Sequence, residues 1–71
     1  MENKLEFVVF CIENIASKLN QEAPAIYDDL AEKSHILTSY ILPNYEILHT
    51  QGKDYIVDDV IDVMKENGLH V

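Results

Sequence analysis

The chain has 71 residues, 48% of them apolar, and a formal net charge of −8 at neutral pH from 13 acidic and 5 basic residues. That length allows one domain whose core hides only about 60% of the surface exposed by the unfolded chain, so a partner or a second copy would add useful burial. The basic residues are scattered lysines (Lys4, Lys18, Lys33, Lys53, Lys65) with no arginine to fork onto phosphate or guanine, which argues against nucleic acid and anionic membrane surfaces as partners.

From Leu5 to Leu19 the apolar positions Leu5, Val8, Val9, Ile12, Ile15, Ala16 and Leu19 recur at helical spacing, opposite a polar stripe of Glu6, Glu13, Ser17 and Asn20. A second row, Phe7, Phe10 and Cys11, makes the apolar arc wider than one packing face needs. The expectation is that this row lies partly in an intermolecular contact, with self-association as a homodimer or binding to another protein both open. Cys11 is the single cysteine, which rules out an intrachain disulfide, and its apolar surroundings read as those of a small buried hydrophobe. The unbroken apolar run Phe7 to Ile12 is far shorter than the roughly 20 residues of a membrane span, so the expected location is the cytoplasm.

Pro24 breaks the first helix from a second, expected from about Pro24 to Lys33, with Ile26, Tyr27 and Leu30 inward and Asp28, Asp29 and Glu32 in water. Ser34 is placed to cap a third segment carrying Ile36, Leu37, Tyr40, Ile41, Tyr45 and Leu48. Pro43 divides that segment into two short helices meeting near Leu42, with Pro43 opening the second; a kinked continuous helix is the alternative. The last helix opens at Asp54 as N-cap. It carries Tyr55, Ile56, Val57, Val60, Ile61 and Met64 on one arc, with Asp58, Asp59 and Asp62 outward. Gly68 fits the left-handed position after its last turn, and Leu69 fits the apolar contact back to Met64. The fold class is therefore all-α, a single domain over residues 1–71 built as a bundle of four to five short helices.

Between two apolar segments sits the polar stretch His49-Thr50-Gln51-Gly52-Lys53-Asp54. As a corner, it ends the helix of Tyr45 and Leu48 near Gln51, takes positive φ from Gly52 and restarts at Asp54, while His49 in the last turn meets free carbonyls. As a site, His49 would be a general acid or base oriented by Glu46 or Asp54. The rest of such a site is missing: the one thiol is in an apolar run, no serine has a nucleophile-elbow context, and a phosphate loop would need glycine at Ile47 and a hydroxyl at Asp54. His35, His49 and His70 have none of the one-turn spacings that pair metal ligands on a helix, and Asp54, Asp58 and Asp62 read as a solvated stripe. No catalytic residue, cofactor or metal is expected.

The segments "LEFVVFCIENIA" and "NYEILHTQGKDYIVDDV" resemble a family of short bacterial proteins known only as a domain of unknown function, number three-seven-nine-one. The resemblance covers nearly the whole chain and rests most on Tyr45, Leu48, His49, Thr50, Gln51, Tyr55 and Val57; Pro43 and the acid-rich "DDVID" are less typical. Members often lie beside genes for proteins resembling ADP-ribosyltransferases, which implies a small partner or antitoxin-like role, and the resemblance carries over no catalytic residues. The expected function is protein binding through Phe7, Phe10 and the acidic faces Asp28, Asp29, Glu32 and Asp58, Asp59, Asp62. A small enzyme or ligand-binding domain centred on His49 is the alternative.

Overall fold

The first helix starts where Asn3, in extended geometry, accepts the backbone N–H of Leu5 on its side-chain oxygen at 2.7 Å, in a computed structural model that describes residues 3–71. This helix, α1, runs Lys4–Leu19. It ends at Asn20, whose left-handed backbone (φ 56°) lets its own N–H reach Ser17 and the N–H of Gln21 reach Ala16 at 2.9 Å. Asparagine is the residue after glycine that most readily takes this position, so the stop precedes Pro24 and does not depend on it.

The buried face of α1 is rotated from the expected one. Phe7 and Cys11 are 2% and 0% exposed, while Leu5 and Val9 stand 69% and 45% exposed. Both rows are apolar, and the choice between them follows from size and geometry. The Phe7 ring meets the buried Tyr45 edge-on at 5.3 Å, and an aromatic ring withdraws far more apolar area from water than a valine does. The expectation that Phe7 and Cys11 form an outward contact is thus corrected: both belong to the chain's own core, and of that row Phe10 alone stays partly exposed.

Helix α2 (Ala23–Tyr27) begins after extended Glu22 with Pro24 in its first turn, and Ala23 is already helical. It continues as a π-helical stretch, Asp28–Lys33, marked by the Ser34 N–H reaching the Asp29 carbonyl. The expected span is met, but a single inward row, Ile26 and Leu30, suffices to pack it on α1, and Tyr27 turns outward at 47% exposure. Ser34 Oγ donates to the Asp29 carbonyl and accepts from the N–H of Ile36, tying the two segments across His35, whose φ is 59°.

A second π-helical stretch, Leu37–Ile41, follows. Its fully buried flank, Ile36 and Ile41, is five residues apart, which matches the i to i+5 bonding of a π-helix and leaves Leu37 and Tyr40 half-buried. A turn over residues 42–44 contains Pro43 and separates this stretch from α3 (Tyr45–Leu48), so there are two short helices as expected, with Asn44 rather than Pro43 preceding the second.

Helix α4 (Lys53–Glu66) buries Ile56, Val57, Val60, Ile61 and Met64, packing against α1. Its end matches the sequence reading. Gly68 has φ 84°, its N–H bonds to Lys65 and the N–H of Leu69 to Met64 at 3.1 Å, and Leu69 packs on the core. The fold is all-α; among the described residues there is no strand, and no helix is long and apolar enough to cross a membrane.

Candidate functional site

The stretch from Tyr45 to Asp54 is a corner, closed by residues other than those expected. After α3, the N–H groups of Thr50 and Gln51 bond three residues back to Ile47 and Leu48, and Thr50 Oγ1 donates to the Ile47 carbonyl at 2.7 Å. Tightened turns and a hydroxyl thus satisfy the carbonyls that a left-handed glycine would otherwise serve. Gly52 has φ −72° and ψ 160°, ordinary extended geometry, and is itself the N-cap of α4. Asp54 lies one residue inside the helix, where its charge faces the positive end of the dipole. A β-carbon on Gly52 would meet nothing within 4 Å, whereas Gly68 keeps its left-handed φ. Gly52→Ala is therefore expected to change stability by no more than about 0.5 kcal/mol, and Gly68→Ala to lower it by about 1 kcal/mol or more. Urea melts of both variants test this; equal losses would show that the corner does depend on Gly52.

His49 caps α3, with its ring stacked on Tyr45 at 4.6 Å between centroids and 18° between planes. Tyr45 in turn meets Phe7, and Phe7 stacks on Phe10 at 6.1 Å, so one aromatic seam runs from α3 across to α1. Lys4 Nζ lies 5.9 Å from the Tyr45 ring centroid. Leu48 is buried beneath the corner. Tyr45 is therefore the motif residue that holds α3 to α1, with His49 stacked against it, and among the described residues no hydrogen bond links the His49 ring to Glu46 or Asp54.

The acidic positions are not uniform. Asp58 accepts a 2.7 Å bond from Lys18, joining α4 to α1, and this contact raises the lysine pKa above its ordinary value. Asp59 accepts the Tyr40 hydroxyl at 2.5 Å; that bond, then part-burial, pushes the tyrosine up to about 12. Asp28 and Asp29 lie 3.8 and 3.5 Å from Lys33. Of the six acids expected at the partner surface, Glu32 and Asp62 are exposed with no ion pair among the described residues, while the other four already have roles within the chain. Acids of the two faces line two shallow clefts. One sets Asp28, Asp29 and Lys33 against Gly68, Leu69 and His70, and the other sets Asp58 and Asp62 beside Lys18 and Lys65.

Among the described residues, sequence reasoning missed the large apolar side chains that reach the surface: Leu5, Val9, Tyr27, Ile47 and Tyr55. Helical spacing placed four of them in apolar arcs, and an adjacent charge does not single them out, since Glu6 also adjoins buried Phe7 and Glu46 also adjoins buried Tyr45.

These features define a small all-helical domain with an aromatic seam inside and an acidic, partly apolar exterior. The chain belongs to the family described as "Protein of unknown function (DUF3791)", which matches residues 6–67. No curated protein and no solved structure matches it.

Proposed function

We propose that this chain is a small acidic protein-interaction module of the bacterial cytoplasm, an antitoxin-like or accessory partner of an ADP-ribosyltransferase-like protein encoded beside it. The observation that carries the reading is the surface of mixed character: among the described residues five large apolar side chains stand exposed, each with a carboxylate next to it or one helical turn away. Exposed apolar groups and tyrosines are what protein interfaces bury, and flanking carboxylates select a basic counterpart and speed its approach. The neighbouring protein is the first partner to try because of the family resemblance, which rests most on the corner motif.

The test is the association rate of the purified pair against ionic strength, for the natural chain and for Glu32→Gln with Asp62→Asn. These two acids are chosen because Asp58→Asn or Asp59→Asn would also break contacts inside the fold. The rate is expected to fall severalfold as salt rises, and to fall severalfold in the double variant at low salt. A rate indifferent to both changes would refute electrostatic steering, and no association at all would refute the partner.

A further inference from the structure

Because Phe7, Cys11 and Ile15 turn inward, the first three turns of α1 present the opposite arc to solvent. That arc consists of two adjacent rows at i, i+4 spacing: Leu5, Val9 and Glu13 in one, Glu6 and Phe10 in the other. Leu5, Glu6, Val9 and Glu13 are exposed and Phe10 is partly so. Three apolar side chains and two carboxylates thus share one arc of α1, with no cation among them.

We infer that this outward face of α1 is the docking surface, and that its occupant is a basic amphipathic helix of a partner protein. The inference rests on the proposed protein-binding role and specifies where the contact lies. Straight i, i+4 ridges are the features into which another helix packs, and they favour a helical occupant with apolar residues at matching intervals. Charge decides between the two candidate occupants. A second copy carries the same −8 and would bring Glu6 and Glu13 against their own equivalents, where like charges cost affinity. A helix flanked by lysine or arginine would pair those carboxylates while covering Leu5, Val9 and Phe10.

The experiment titrates the full chain with a synthetic helical peptide of leucine and lysine, apolar at i, i+3, i+4 and i+7, and follows every backbone amide by nuclear magnetic resonance. The expected shifts centre on Leu5 to Glu13. Val9→Lys, which introduces a better helix former at an exposed position, is expected to weaken binding by about tenfold or more without lowering the melting temperature, and Leu5→Gln to weaken it less. Shifts centred on the acids of α4, or full affinity in both variants, would overturn the assignment. So would light scattering that shows a dimer of the natural chain dissolved by Val9→Lys, since the face would then belong to a second copy. The ADP-ribosyltransferase-like neighbour separates the two proposals. Equal binding of that protein to the natural chain and to Val9→Lys overturns the α1 site and leaves protein binding intact; peptide binding at α1 without binding of the neighbour supports the site and removes the named partner.

Discussion

Phe7→Ala is expected to destabilise the domain by about 3 to 5 kcal/mol, the cost of emptying a buried aromatic position. Domains of this length are stable by only about 4 to 10 kcal/mol, so the variant should be largely unfolded at moderate temperature or at low urea. The cause is specific to the site. The Phe7 ring is 2% exposed and sits between Phe10 and Tyr45, so its removal breaks the seam that ties α1 to α3. Leu5→Ala, by contrast, is expected to cost less than about 0.5 kcal/mol, because Leu5 is 69% exposed. Far-ultraviolet circular dichroism during urea titration measures both. Should Phe7→Ala melt like the natural chain and alter only its state of association, Phe7 would belong to an interface and the packing of α1 would be wrong.

The same pair of residues shows how far the sequence could be read. The apolar periodicity of α1 and α4 was legible because each spans several turns, and the end of α4 was legible because Gly68 and Leu69 are the residues a left-handed stop requires. Which side of α1 faces inward was not legible. Two contiguous apolar rows are equivalent on a helical wheel, and the position of Tyr45, 38 residues along the chain from Phe7, favours the row of Phe7. The π-helical turns at Asp28–Lys33 and Leu37–Ile41 were hidden for a related reason. In the second stretch the i to i+5 spacing shifts the inward positions by one residue, so Ile36 and Ile41 are buried and Tyr40 lies at the edge where an α-helical period would centre it. At the corner, the place of the turn was evident from its polar residues, but the choice between glycine and Thr50 as the closing group depends on backbone angles that composition does not encode. The acidic faces were visible as charge, whereas the bonds that occupy Asp58 and Asp59 depend on which helices pack together.

Those bonds give the second large effect: the protein is expected to hold its stability up to about pH 9 and to lose it progressively toward pH 12. Three groups act in the same direction. Burial pushes the Cys11 thiol from 9.0 up to about 12, and the bond to Asp59, followed by part-burial and the charge of Asp59, pushes Tyr40 from 10.0 up to about 12. Lys18 is raised by its bond to Asp58, although its exposure makes its contribution small. A group whose pKa is higher in the folded than in the unfolded chain binds its proton more tightly when folded. Its stabilisation is whole below the unfolded value and disappears as pH rises through the folded one. The windows are thus pH 9 to 12 for Cys11 and pH 10 to 12 for Tyr40, and the growing negative charge of an already acidic chain adds to the loss. Tyr40→Phe separates the contributions. Near neutral pH it should cost about 1 kcal/mol, because the bond it removes ends on a carboxylate but is only partly buried. Between pH 10 and 12 the gap from the natural chain should close, since Tyr40 ionises in the unfolded chain through this window while the folded chain keeps the proton it donates to Asp59. Urea midpoints at intervals across that range provide the measurement. A gap that stays constant to pH 12 would mean that Tyr40 does not hold α4 through Asp59, and a midpoint unchanged from pH 8 to pH 12 would remove Cys11 from the account as well.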